Sequence, residues 1–222
     1  KSFVADLNFT ADFLPVWVIG RSANLPLSSR VTGAYYYVPR CKVTGNVSFD
    51  GKEYQVGGIG YHDHVWNSVV PRWVSKGWDW VNLHFDNGWE IYLAKFYFRT
   101  PFKLSVDSLI ISPNNRNITE INHYDVTYTE TTSPKGLPFM YYPKKLHIEA
   151  KQDDMILKLD IEIYNTCENV WKWARQGVFD GPCYATGTFS WSDYTVELNG
   201  YGSSEFTRVK YLLGLPGIFQ KF

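Results

Sequence analysis

Apolar and polar residues alternate along much of the chain with a period of two. From Met155 to Tyr164, the side chains Met155, Leu157, Leu159, Ile161 and Ile163 fall on one face, and Lys158, Asp160 and Glu162 on the other. Successive strand residues point to opposite faces, so this pattern predicts a half-buried β-strand. Just upstream, Leu146, Ile148 and Ala150 alternate with Lys145, His147 and Glu149, and Gln152-Asp153-Asp154 joins the two runs as a hairpin. A second hairpin runs from Trp78 to Phe85, turns at Asp86-Asn87-Gly88 and returns from Trp89 to Arg99. Asp, Asn and Gly tolerate the positive φ of tight hairpin loops. A third joins Lys42–Phe49 to Glu53–Gly58 through Asp50-Gly51. Further strands are predicted over 34–38, 103–111, 121–130, 183–190, 194–201 and 206–213, with a helical turn near 168–175. About a dozen short strands predict an antiparallel barrel or sandwich.

Composition narrows the classes of function. The chain has 222 residues, 22 basic and 22 acidic, and a net charge of zero. No basic patch or tail stands out, which argues against nucleic acid as a partner. Aromatics reach 18%, with nine Trp and sixteen Tyr. Such residues favour pleated sheet and make good walls for an apolar ligand. No apolar run approaches the ~20 residues that span a bilayer as a helix. The chain starts at Lys1, which suggests a processed form or a fragment. Cys41, Cys167 and Cys183 show no metal-ligand spacing, leaving one disulfide plus a thiol, or three thiols, open. Asn8, Asn46 and Asn117 each begin an N-x-S/T sequon. They permit a secreted or cell-envelope location without fixing the compartment.

The densest candidate chemistry is Gly60-Tyr61-His62-Asp63-His64-Val65-Trp66, followed by Trp78-Asp79-Trp80. Polar groups of this kind are costly to bury without partners. Strand alternation puts His62, His64 and Trp66 on one face and Tyr61, Asp63 and Val65 on the other. In the next strand Trp78, Trp80, Asn82 and His84 share a face, opposite Asp79, Val81, Leu83 and Phe85. A barrel interior lined by His62, His64, Trp66, Trp78, Trp80, Asn82 and His84 would suit an apolar ligand with one polar end.

Three readings of this constellation stay open. A histidine acts as proton donor or acceptor beside an aromatic face that steadies a developing cation. Alternatively His62 and His64 hold a metal, with His84 as third ligand. Or the histidines and Asp63 only satisfy backbone groups. His123 and His147 look solvated. Gly57-Gly58-Ile59-Gly60 has no helix after it to hold phosphate and is read as a bulge or bend. No G-x-S-x-G elbow is present.

With Val43-Thr44-Gly45 and Asp50-Gly51 before it and Gly77-Trp78-Asp79-Trp80 after it, the heptad resembles the hydroxyneurosporene synthase (carotenoid 1,2-hydratase) lipocalin-like family. Kievitone hydratase and fungal Diels–Alderase-type cyclases belong to the same group. The usual form is G-Y-x-D-H-x-W-G, with Asn67 here in place of the last Gly. Phe179-Asp180-Gly181-Pro182 and Val196-Glu197-Leu198-Asn199-Gly200-Tyr201 are similar to the family's closing pattern. The resemblance covers about residues 30–205. It implies an all-β chain of antiparallel lipocalin-like (calycin) β-barrels in tandem. The family's N-terminal Trp-Trp-Tyr strand has no counterpart, so the first barrel is expected to be incomplete. The expected division is 1–100 for the C-terminal part of a first barrel and 101–222 for a second. By resemblance, His64 and Trp66 match cavity residues and Tyr92 matches the tyrosine of a Tyr-x-Asp pair, while Ala94 stands where the acid belongs. Glu90 or Asp79 would then have to supply the acid for a hydratase. A cyclase could act by orientation alone.

The expected function is therefore binding of an isoprenoid or polyketide-like molecule, with hydration, isomerisation or cyclisation and no cofactor or metal. The alternative is a non-catalytic carrier of a lipophilic ligand. His64 and Tyr92 are the expected catalytic residues. His62, Trp66, Trp78, Trp80, Asn82 and His84 are expected to contact ligand, and Asp63 and Asp79 to be structural. The expected partner is a hydrophobic small molecule, with peripheral contact to a membrane and no nucleic acid.

Overall fold

The computed structural model describes residues 2–19, 33–67, 75–98, 105–172 and 175–210. All of its extended elements are β, and every registered pairing is antiparallel. The chain divides into two compact units: Lys1–Ser68 with Ser112–Ile118, and Val69–Ile111 with Thr119–Phe222. The first break between these units falls at 68/69. The reason is pairing: the strands over Ser75–Phe85 and Glu90–Phe98 join the sheet formed by the C-terminal half.

The first unit is a four-stranded sheet of β1 (Phe3–Ala11), β2 (Val16–Ile19), β3 (Gly33–Phe49) and β4 (Lys52–Asn67). β3 pairs with β4 along one side and with β1 and β2 along the other. The register puts Phe3, Leu7, Phe9, Val43, Phe49 and Tyr54 on one face. The opposite face carries Asp6, Asn8, Thr44, Asn46, Ser48 and Gln55, so the sequon residues Asn8 and Asn46 share the polar side. Glycines 57, 58 and 60 sit inside continuous β4 and form no bulge. The register shift lies instead in the partner strand, between Val38 and Cys41. At Gly60 a Cβ would come within 2.9 Å of the Phe9 and Val43 side chains, so glycine here lets the Phe9 ring and Val43 close on the sheet.

The second unit is a ten-stranded sheet. Its strands are β5 (Ser75–Phe85), β6 (Glu90–Phe98), β7 (Ser105–Ser112), β8 (Thr119–Ile121), β9 (Tyr124–Thr132), β10 (Tyr142–Gln152), β11 (Met155–Ile163), β12 (Cys167–Trp171), β13 (Gln176–Trp191) and β14 (Tyr194–Val209). Their order is β8-β7-β6-β5-β14-β13-β11-β10-β9, with β12 paired to β13. Two expectations change here. The helical turn near 168–175 gives way to β12, whose residues pair regularly with 176–180. The strands expected at 194–201 and 206–213 are one strand, Tyr194–Val209, through Gly202, where a Cβ would lie 1.8 Å from the Asn82 carbonyl oxygen; 211–213 lie outside the described residues. Thus β14 can lie close against β5 without a break.

One face of this sheet encloses the core. Val81, Leu83, Phe85, Ile91, Leu93, Leu146, Ile148, Leu157, Leu159, Phe179 and Phe206 are buried together there. The sheet curls as a half-barrel around them, because side chains from distant strands meet across the core. Asp79 of β5 is the meeting point. Arg208 Nη1 of β14 lies 2.7 Å from Asp79 Oδ1. Tyr97 of β6 donates its hydroxyl to Asp79 Oδ2 at 2.7 Å, and Tyr128 of β9 donates to the same oxygen. Arg208 also donates to the Trp78 and Thr207 carbonyls and to the Tyr128 hydroxyl. Asp79 and Arg208 are 1% and 5% exposed, so each charge depends on the other. Gly77, at φ 131°, allows this corner: a Cβ there would sit 1.8 Å from the Thr207 oxygen.

Burial, then the Asp79 charge, push the Tyr97 and Tyr128 hydroxyls well above the usual phenol range, with Arg208 opposing the rise at Tyr128. Desolvation works against the Arg208 charge, but Asp79 outweighs it and the guanidinium is held more firmly protonated.

Two predictions follow from the corner. Removing one member of a buried ion pair strands the other, at roughly 3–5 kcal/mol. Arg208→Met should therefore lower the urea unfolding free energy by about that much, and adding Asp79→Leu should recover a large part of it. Equal losses in the single and double variants would contradict the interdependence. The tyrosines keep their protons in the folded state and lose them near pH ~10 when unfolded. The folded state then binds more protons, so stability must fall as pH rises above ~10. Urea midpoints at pH 8 and 11 should diverge less in Tyr97→Phe/Tyr128→Phe than in the wild type; an equal fall in both would contradict this.

Candidate functional site

β5 is buried on both faces from Asp79 to Phe85. Its odd-numbered residues Val81, Leu83 and Phe85 enter the core. Its even-numbered residues Trp78, Trp80, Asn82 and His84 lie on the opposite face. The grouping of these four matches strand alternation, but the barrel interior expected for them does not: the core side is taken by the apolar set and by Asp79. Register adds Glu90, Tyr92, Ala94 and Phe96 from β6 and Tyr201, Ser203, Glu205 and Thr207 from β14 to the same face.

Near one end of this face, His84 Nδ1 lies 2.5 Å from Glu90 Oε2, and His84 Nε2 lies 3.2 Å from Asn82 Nδ2. His84 is 5% exposed, and Asn82 and Glu90 are fully buried. The carboxylate can only accept, so Nδ1 carries a proton and donates it to Glu90. Nε2 then accepts from the Asn82 amide in the neutral ring. Asn82 Oδ1 is left without a hydrogen bond although it is buried. If His84 takes a proton at Nε2, a turn of the Asn82 amide brings Oδ1 to receive it, and Glu90 offsets the charge. Trp80 meets Tyr92 edge to face at 5.9 Å, and the Tyr201 ring lies 6.1 Å from His84. Burial declines across the strands. β5 and β6 are covered here, while Tyr201 of β14 and Tyr184 of β13, next in the same row, are about half exposed.

The other expected site residues belong to the first unit. His64 and His62 stand on β4 opposite Tyr36 and Val38 of β3. Tyr36 stacks on His64 with ring centroids 6.1 Å apart, and its hydroxyl lies 3.3 Å from His62 Nε2. Trp17 meets Tyr36 in a T-shaped contact with ring centroids 5.6 Å apart. His62 and His64 are exposed. On the opposite face Asp63 accepts from the buried Tyr35 hydroxyl at 2.9 Å. Trp66 belongs to β4 by its backbone, and its side chain lies outside the described residues. The histidines expected to act as one set therefore form two clusters, one in each unit. Among the described residues no three His, Cys, Asp or Glu side chains gather as a metal-ligand group.

Several residues of these clusters lay outside the expected set. Arg208, Tyr97 and Tyr128 reach Asp79 from strands up to 129 positions away, and no local pattern marks them. Glu90 was named only as a substitute acid. Its position six residues after His84 across a tight hairpin is the signal that they face each other. The three cysteines are free thiols, Cys41 and Cys183 buried and Cys167 exposed. Burial pushes the Cys183 thiol up to about 12.

Known proteins place this fold. A family model described as AttH-like matches residues 1–201. Curated protein sequences give no match. Among solved structures, kievitone hydratase from Nectria haematococca superposes with a TM-score of 0.67 at 14% identity, covering 93% of this chain and 61% of that one. A putative AttH from Nitrosomonas europaea gives 0.68 at 15% identity, covering 95% and 63%. CghA, solved with Sch210972, gives 0.60 at 10% identity, covering 93% and 62%. The chain thus spans a little over three fifths of each of these structures. At such identities the likeness concerns the fold, which is all-β, antiparallel and lipocalin-like. Together with the match over residues 1–201, it carries the conclusion that the chain belongs to the AttH-like family, as the lipocalin-like resemblance of its heptad implied.

Proposed function

We propose that the protein binds a hydrophobic, isoprenoid or polyketide-like molecule and catalyses its hydration, isomerisation or cyclisation against the β5–β6–β14 face, with His84 handling the proton. One observation carries this reading: a buried imidazole held between Glu90 and Asn82, with an Asn82 oxygen that has no hydrogen bond. Buried polar atoms in native proteins are nearly always satisfied, and exceptions call for an explanation such as a bound group. A ligand hydroxyl or carbonyl-bound water on this face would meet the Asn82 oxygen. Trp80 and Tyr92 supply flat apolar surface beside it. Their π faces attract positive charge, which suits a substrate that becomes cationic when its double bond is protonated. Two structural neighbours support the class: one is named as a hydratase, and CghA was solved with Sch210972.

The step is a proton transfer. In the addition direction an O–H bond of a solvent hydronium breaks, its proton adds to an alkene carbon, the π pair forms the C–H bond, and water adds to the adjacent cationic carbon. His84 in its neutral form takes the proton that water releases and returns it to solvent, and Glu90 stabilises the intervening imidazolium. A general base of this kind contributes typically 10²–10⁴-fold. Tyr92 borders the same face as an aromatic wall. His64 remains the competing assignment, on Tyr36 in the first unit.

The test uses a panel of acyclic isoprenoid alkenes and linear polyenes, incubated in ¹⁸O-labelled water and read by mass spectrometry. Conversion should appear in the wild type, as label incorporated by hydration or as isomerised product, and His84→Ala should reduce it by about 10²-fold or more. His64→Ala should leave most of it. The reverse order would move the chemistry to the first unit. Retention of a polyene by the wild type without any conversion would show a carrier instead.

A further inference from the structure

β1 is an edge strand, and every one of its nine residues is exposed. It pairs with β3 along one side, in an unbroken register from Phe3 opposite Phe49 to Ala11 opposite Cys41. Among the described residues no strand occupies its other side. Proteins guard such an edge with lysine, proline, a bulge or a covering segment. The run Phe-Val-Ala-Asp-Leu-Asn-Phe-Thr-Ala has none of the first three, and its one charge is Asp6. Phe3, Val4, Leu7 and Phe9 are 66%, 63%, 37% and 48% exposed, a large apolar surface to leave in water.

Pairing with β3 decides which main-chain groups this edge offers. Just beyond the two ends of β1, the Asp50 N–H donates to the Ser2 carbonyl and the Asp12 N–H to the Arg40 carbonyl. Main-chain groups alternate in direction along a strand, so even-numbered residues bond to β3 and odd-numbered ones turn N–H and C=O outward. The outward set is Phe3, Ala5, Leu7, Phe9 and Ala11, whose side chains also share the apolar face.

A second β1 fits this edge in antiparallel register about a two-fold axis at Leu7. Odd residues then meet odd residues and exchange both main-chain hydrogen bonds. Leu7 faces Leu7 of the second copy, Ala5 faces Phe9, and Phe3 faces Ala11, so each ring lies opposite a methyl group. On the other face Val4 meets Thr10 and Asp6 meets Asn8, and no like charges stand opposed. All of β1 is used. Sliding by one residue sets odd against even and loses the hydrogen bonds. Sliding the axis to Asp6 shortens the overlap and sets Asp6 against Asp6, which is unfavourable.

We propose that the protein forms a two-fold homodimer in which the β1 strands pair across Leu7. The two four-stranded sheets become one, with the apolar face continuous across the axis. The occupant of the edge is a second copy of this chain because the strand is self-complementary in length, hydrogen bonding, side-chain size and charge. The interface uses no residue of the β5–β14 face and does not depend on what that face does.

The experiment measures the mass of the whole chain by chromatography with light scattering, and its association constant by sedimentation equilibrium. Protein made in bacteria keeps the Asn8 sequon bare. The wild type should have the mass of two chains at micromolar concentration. Leu7→Pro removes an N–H that bonds nothing within one chain, a placement that edge strands tolerate. It should give monomers with an unchanged circular dichroism spectrum. Asn8→Asp sets carboxylate against carboxylate and should weaken the dimer several-fold, more at low salt than at high; Asn8→Lys should strengthen it by a similar factor. These two changes affect only an exposed side chain, so they decide the matter if Leu7→Pro does not fold. A monomeric wild type overturns the proposal, as does a dimer indifferent to Leu7→Pro or to both Asn8 variants.

Discussion

The second unit depends on a single carboxylate. A ten-stranded sheet has no intrinsic reason to curl to the degree that brings β9 back towards β5 and β6. Apolar burial favours curling but does not fix its extent, because hydrophobic attraction is non-directional. Asp79 supplies direction. It accepts hydrogen bonds from Tyr97 and Tyr128 and pairs with Arg208, so strands β5, β6, β9 and β14 meet at one point inside the curl. A buried ion pair is a doubtful source of net stability, since both charges are desolvated. Its better-attested use is to specify one arrangement over others. At this corner any shift in the register of β5 against β14 would strand Asp79 or Arg208 in the core.

Fixing that corner also fixes the other side of the sheet. Once Asp79 points inward, alternation sends Trp78, Trp80, Asn82 and His84 outward, and the β14 register brings Glu205 and Thr207 beside them. The two faces have different chemistry for this reason. The inner face is mostly apolar and closely packed, its polar groups being the Asp79 corner, Ser204 and the Lys95–Asp107 pair. The outer face combines tryptophans with an imidazole–carboxylate pair and buried oxygens lacking partners. The apolar packing lies on one side of β5 and the candidate site on the other, with one backbone carrying both.

Much of this was legible in the sequence. Period-two runs located nearly every strand of the second unit, and alternation grouped Trp78, Trp80, Asn82 and His84 correctly. Which group faced the core was not legible. β5 is buried on both faces, so polarity alone could not say which side was interior. Long-range partners were equally hidden: Arg208 lies 129 positions after Asp79, and only the sheet order joins them. β1 shows the opposite case. Phe3, Ala5, Leu7 and Phe9 alternate as cleanly as any strand, yet the run lay outside the expected elements. The histidines of the heptad were drawn towards His84 by residue type, whereas pairing assigns them to β4 of the first unit. The division near 68 follows from β5 and β6 pairing with β14, a contact that sequence order conceals.

If ligand chemistry takes place on the β5–β14 face of the second unit, as proposed, photolabelling should locate it there. An isoprenoid carrying a small diazirine would be bound to the whole protein, activated with light, and the labelled peptides sequenced by mass spectrometry. Labels should fall on residues 78–84 and 201–207, with competition by unlabelled isoprenoid. Labels confined to the apolar face of β1 and β3, at Phe3, Phe9 and Phe49, would contradict it.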